Sequence, residues 1–354
     1  MRLHENTFDD FSSMKEHTNL WRMIAMTGTL ISRSFAALLL LQFAAPDIFS
    51  KEKPNAKSAF IYYQRLIFIE MRVNNHSGLL FLLDTGASAS AIDLKMAERL
   101  KLPLKGADKV EGTAGIIDVK KVLVKSLSFG KARAKNLTVP AYDLSSVLAP
   151  QSKQVAGILG YDFLRSFLVQ VDFLNCTLRF YPKGAGNPAS GTTAVPIPIN
   201  LDNGIPRLRA NLNGGVVADF RLDTGASLFE TSDVYLNVTE EVWRRLTALD
   251  PGLKPERYFG GSGVGGAVKL PVAQIKTFSV NMITVSSPFI IVQPKLGYFA
   301  RPDAVGFISN NFLEKFSPVT IDYLKYRLYL TSGDTYKNFA VAHFDKYEVK
   351  TSTR

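Results

Sequence analysis

The five residues Asp84-Thr85-Gly86-Ala87-Ser88 recur, letter for letter, as Asp223-Thr224-Gly225-Ala226-Ser227. The copies lie 223 − 84 = 139 residues apart, and each follows an apolar run. Before the first stands Leu79-Leu80-Phe81-Leu82-Leu83, and before the second Val216-Val217-Ala218-Asp219-Phe220-Arg221-Leu222. Each reads as a strand that delivers a carboxylate into a tight glycine turn. One copy alone reads equally well as an ordinary turn, with Asp bonding its own backbone. Two copies that faced each other would bring two carboxyls together, as acid–base activation of a water requires.

The repetition extends beyond the pentapeptides. Gly157-Ile158-Leu159-Gly160-Tyr161-Asp162-Phe163-Leu164 is echoed by Gly306-Phe307-Ile308-Ser309-Asn310-Asn311-Phe312-Leu313, at an offset of 306 − 157 = 149. Val171-Asp172-Phe173-Leu174 is echoed by Ile321-Asp322-Tyr323-Leu324, at 322 − 172 = 150. Three blocks in one order, with an offset that grows by about ten residues, describe a duplicated unit with a loop insertion.

These blocks resemble the aspartic proteases, and the retropepsin-like type in particular. The resemblance rests on the Asp-Thr-Gly-Ala-Ser loops and on Ile158-Leu159-Gly160 running into Phe163-Leu164, and it spans residues 60–332. It implies an all-β fold with a few short helices: two homologous barrel-like lobes in one chain, with the active site between them. An N-terminal lobe over 59–185 and a C-terminal lobe over 192–332 are expected. Their boundary falls in the Gly/Pro/Ser-rich stretch Pro182-Lys183-Gly184-Ala185-Gly186-Asn187-Pro188-Ala189-Ser190-Gly191. Asp84 and Asp223 are the expected catalytic pair, with Thr85 and Thr224 bonding across the lobe interface. Gly86, Gly225, Ala87, Ala226, Ser88 and Ser227 complete the supporting loops.

Pepsin-like enzymes usually carry Ser or Thr where Ala87 and Ala226 stand. Alanine lacks the hydroxyl that would stabilise an ionised carboxylate, so activity is expected at mildly acidic to near-neutral pH. Ser309 stands where Gly160 stands in the first unit. Either the second unit is distorted there, or Gly306 takes over the role. The substrate implied is a peptide bound as an extended strand. A rival reading is a catalytically silent peptide-binding protein on the same fold.

Two glycine-rich stretches are expected to be flap tips closing over such a peptide: Gly112-Thr113-Ala114-Gly115, and Gly261-Ser262-Gly263-Val264-Gly265. The second also matches a dinucleotide fingerprint, but neither a helix nor a βαβ unit follows it.

Composition narrows the chemistry. Cys176 is the single cysteine, and His4, His17, His76 and His343 are scattered. No metal and no cofactor is expected. The net charge of +11 comes without an arginine- and aromatic-rich motif, so a basic surface is read rather than a nucleic-acid site.

At the N-terminus, residues 35–45 form an apolar run between Arg33 and Pro46. The run is too short for a membrane span of about 20 residues. It reads as an export signal within residues 1–45, the other reading being a helix packed on the fold. Export would place the protein in the periplasm or outside the cell. Residues 46–58 read as a linker, and 333–354 as a tail. With both lobes in one chain, a monomer is expected.

Overall fold

The computed structural model describes residues 53–147, 149–150, 153–186, 194–228, 231, 233–263 and 266–331. The readings of 1–45 and 333–354, and part of the boundary at 182–191, lie outside them. The described chain is mainly β, with short helices at Leu94–Arg99, Tyr161–Leu164, Glu240–Leu249 and Asn310–Leu313.

An eight-stranded sheet surrounds Asp84. Its central hairpin pairs Leu66–Val73 with His76–Leu83, turning at Asn74-Asn75, where Asn74 takes a left-handed φ of 52°. Strand His76–Leu83 then lies parallel to Gly157–Leu159, which pairs antiparallel with Ala91–Asp93 on its other side. An added pairing of Leu66–Val73 with Ile116–Phe129 curls the sheet towards closure.

Asp223 sits in the same arrangement within a ten-stranded sheet. Strand Val216–Leu222 runs parallel to Gly306–Ile308, which pairs antiparallel with Tyr235–Thr239. Tyr235–Thr239 leads into the helix Glu240–Leu249, whose first turn is capped by the Thr239 hydroxyl accepting from Val242 N. The equivalent helix, Leu94–Arg99, is capped by Asp93. It begins at Leu94, directly after Ala91–Asp93, which is committed to the sheet.

A third sheet of six strands joins the two. At its centre Phe167–Asp172 pairs antiparallel with Val319–Asp322, Val169 opposite Ile321 and Gln170 opposite Thr320. Both strands are buried along their whole length. Gln170 and Thr320 are themselves separated by the repeat offset, 320 − 170 = 150. An antiparallel pair centred on matching positions is what a local two-fold axis generates. Ala56–Ala59 adds to one edge of this sheet, so residues 56–58 are strand rather than the linker expected from composition. The charged run Lys51-Glu52-Lys53-Pro54 had hidden that short strand.

The core fills the space behind each sheet. Phe81, Phe163, Phe180, Phe220, Phe278 and Phe312 are all fully buried. Phe220 meets Phe278 edge-on at 5.4 Å, and Phe180 meets Phe163 at 5.6 Å. Gly157 and Gly306 occupy matching places: a Cβ at Gly157 would strike Ala91 O and the Phe81 ring, and one at Gly306 would strike Asn237 O and the Phe220 ring. Replacing either glycine with alanine should destabilise the fold by about 1–3 kcal/mol through overpacking. Gly260→Ala, where a Cβ meets nothing within 4 Å, should be close to neutral. Urea unfolding midpoints of the three variants check this; equal midpoints would contradict the packing described.

Candidate active site

The two Asp-Thr-Gly turns meet. Each aspartate is held first by its own sheet: Asp84 N donates to Leu159 O at 3.0 Å, and Asp223 N to Ile308 O at 2.9 Å. Each carboxyl then accepts from the glycine two residues on, Gly86 N to Asp84 Oδ1 at 2.7 Å and Gly225 N to Asp223 Oδ1 at 3.0 Å. Each glycine also lies against the opposite carboxyl. A Cβ on Gly86 would fall 2.6 Å from Asp223 Cγ, and one on Gly225 would collide with the Asp84 carboxyl. Only glycine permits this approach.

The threonines exchange bonds across the junction. Thr85 N donates to Thr224 Oγ1 at 3.0 Å, and Thr224 N donates to Thr85 Oγ1 at 3.1 Å. Each hydroxyl passes its own proton on, Thr85 Oγ1 to Leu222 O at 2.7 Å and Thr224 Oγ1 to Leu83 O at 2.9 Å. Both threonines are buried, and every donor and acceptor in this ring has a partner. The four bonds lock the two turns in one geometry.

The carboxyls stand within hydrogen-bonding reach of each other. Part of each aspartate stays open to solvent, but the surrounding protein is dense. Burial pushes Asp84 up to about 6, against the bonds from Gly86 N, Asp223 and Ala87 N that favour its ionised form. Burial also raises Asp223, well above the usual carboxylate range, and the neighbouring Asp84 charge adds to it. Two like charges this close cannot both ionise at low cost, so the two titrate as one unit.

The remaining loop residues divide. Ser227 Oγ donates to Gln64 O at 2.7 Å, whereas Ser88 is exposed. Ala87 and Ala226 each turn a backbone N–H towards their own aspartate. Ser309 leaves the backbone undistorted: its φ and ψ of −112° and −174° match the −108° and −170° of Gly160. Gly306 does not replace Gly160, because it occupies the place of Gly157 beside Phe220. The expected distortion is therefore absent, and Ser309 fits with its hydroxyl 3.3 Å from Asn311 Oδ1.

Residues 112–115 form the turn of a long hairpin between Leu104–Glu111 and Ile116–Phe129, closed by Gly112 N donating to Gly115 O at 2.8 Å. Its tip is tied to the second half of the chain. Tyr298 N donates to Gly112 O at 2.9 Å, and Arg301 lies 3.5 Å from Glu111. Gly297, at φ +47°, packs directly on the tip. The Tyr298 ring in turn lies 3.9 Å beneath the guanidinium of Arg221, on the strand that leads to Asp223.

In the other glycine-rich stretch, Gly261 and Gly263 belong to strand Arg257–Gly263 rather than to a loop, paired with Gly266–Gln274. Val264 and Gly265 at its tip lie outside the described residues.

Sequence reasoning missed Tyr298 and Arg301, and also Tyr142 and Tyr323. Burial raises both of these tyrosines, and the nearby Asp84 charge contributes. Tyr323 lay in view within a repeated block, but nothing in its local pattern points to an aspartate so distant in sequence. Among the described residues, no cluster of three or more His, Cys, Asp and Glu could hold a metal, and no helix is long and apolar enough to cross a membrane.

Comparisons with known proteins bear on the first of the two turns. A search of curated proteins finds no match. A retropepsin-like aspartic protease from Rickettsia conorii is among the solved structures that match, at 22% identity and a TM-score of 0.28, covering 39% of this chain and 90% of that one. The family model described as aspartyl protease matches residues 69–163, from within the strand before the Asn74 turn to the helix after Gly160. That match takes in Asp84 and its loop, and it supports an aspartic-protease type of function for this chain.

Proposed function

We propose that the chain is an aspartic endopeptidase, built from two fused lobes, in which Asp84 and Asp223 share a proton and activate a water. The observation that carries the reading is the pairing of the two carboxyls, each backed by the other's glycine and locked by the Thr85–Thr224 exchange. Peptide hydrolysis needs a nucleophilic water and a protonated leaving nitrogen. An ionised carboxylate takes a proton from the water while its neutral partner donates to the carbonyl oxygen of the scissile bond. The shared proton makes both forms present together at one site. The substrate is an extended peptide lying between the dyad and the hairpin that turns at 112–115. With both halves in one chain, the working unit is a monomer.

The raised carboxyl pKa values support activity above the strongly acid range. The pH–rate profile should reach its maximum between mildly acidic and neutral pH, falling on the alkaline side as the shared proton is lost. Asp84→Asn and Asp223→Asn should each lower kcat by about 10²–10⁴-fold or more, with pepstatin-sensitive cleavage of a peptide library as the assay. Intact peptide binding without any cleavage by the unaltered protein would favour the silent binder instead.

The same pKa shift predicts a stability effect. A carboxyl whose folded pKa exceeds its unfolded value favours folding when protonated. That contribution is full below the ordinary carboxylate pKa and is lost as pH rises past about 6. Asp84→Asn should therefore raise Tm at pH 7, by about 2–4 °C for each kcal/mol of relieved penalty on the buried charge. The gain should vanish near pH 4. Thermal melts at the two pH values test it, and an equal gain at both would contradict the shared-proton account.

A further inference from the structure

Beyond the reciprocal threonine exchange, the two halves also touch by unlike means. The tight turn Gln64-Arg65, with left-handed φ of 49° and 58°, reaches from the first half to the residues behind Asp223. Asn310, wholly buried, donates through Nδ2 to Arg65 O at 2.6 Å and to Thr224 O at 2.8 Å. The Arg65 guanidinium pairs with the buried Glu314 carboxylate. That carboxylate also accepts from the Tyr62 hydroxyl at 2.5 Å and has Lys315 Nζ at 3.7 Å.

The matching place on the other side is different. The offset of 139 carries Arg65 to Gly204, and the offset of 149 carries Tyr161 to Asn310. Gly204 lies flat against the Tyr161 ring, which meets Tyr323 at 5.6 Å. One side is clasped by an ion pair and an amide, the other by aromatic packing.

The Thr224 carbonyl that Asn310 holds belongs to the same peptide unit as Gly225 N–H. That N–H is the donor to Asp223 Oδ1. The carbonyl end of the unit is fixed by Asn310, and its amide end holds the carboxylate. A hydrogen bond accepted at the carbonyl also polarises the amide and strengthens its donation.

We propose that Asn310, seated by the Arg65–Glu314 pair, is a positioning residue that orients the Thr224–Gly225 peptide unit on Asp223, with Tyr161 playing no such part for Asp84. The two aspartates of the dyad are thus held by unlike supports. Asn310 acts through the peptide plane and does not touch the reacting atoms. Only the kinetic arm of the following test rests on the reading of the pair as a protease dyad.

The test compares the unaltered protein with Asn310→Asp, which keeps the volume but cannot donate when ionised, and with Asn310→Ala. The carboxyl titration of the dyad is followed by carbon-13 NMR on aspartate-labelled protein. Loss of a bond to the charged form favours the protonated one. Both variants should move the dyad's titration to higher pH, whereas Tyr161→Phe should not. With a cleaved peptide, kcat should fall about tenfold or more with KM changed less than about twofold, the acid limb of the profile moving upward. Glu314→Gln should act in the same direction, more weakly.

A folded Asn310 variant with unchanged titration overturns the proposal. So does an equal shift in Tyr161→Phe. If Asn310→Ala does not fold, Asn310→Asp and Asn310→Ser read the same titration. If the unaltered protein cleaves no peptide, the protease reading fails, and the NMR titration still decides the role of Asn310.

Discussion

Two carboxyls that repel must be held together, and the junction of the Asp84 and Asp223 turns is where that happens. The Thr85–Thr224 exchange does it with four hydrogen bonds, each of the two hydroxyls giving one and taking one. A buried polar ring of this kind is favourable only when fully satisfied, because one missing partner leaves several groups unpaired. The rest of the fold keeps the ring complete. The parallel strands Gly157–Leu159 and Gly306–Ile308 fix the aspartate backbones, and Gly86 and Gly225 let the turns approach closely enough for the threonines to reach.

Local chemistry made much of this legible in the sequence. An apolar run into Asp-Thr-Gly specifies strand and turn wherever it occurs, and its second occurrence reveals the internal repeat. Thr239 before Glu240-Glu241 announces a capped helix, because the cap, the acidic first turn and the apolar face lie within one window. The Ile158-Leu159-Gly160 block, legible only as a repeated motif, holds most of the strand that lies parallel to the one leading into Asp84.

Contacts fixed by distant pairing were not legible. Ala56–Ala59 became a strand because Thr177–Pro182 offers it an edge, against a composition that reads as linker. Ser309 in the place of a glycine suggests a distortion, but spacing says nothing about backbone angles, and the extended conformation found there suits any residue. The clasp of Arg65 with Glu314 joins residues that no short motif relates. Tyr298, bound to the hairpin tip and stacked under Arg221, is a product of tertiary folding alone.

The six-stranded sheet has a mechanical consequence. Its central strands belong to opposite halves of the chain, are buried on both faces and face each other over four successive residue pairs. Rotating one half against the other would shear that ladder and expose its apolar faces together, a cooperative and expensive event. The hairpin tip at residues 112–115 is fastened to the second half more lightly, by the backbone bond from Tyr298, the packing of Gly297 and the half-exposed pair of Arg301 with Glu111. Compliance is therefore concentrated at the hairpin tip, while the ladder between the two halves stays stiff. The stiffness of the six-stranded sheet keeps the two aspartate turns in register.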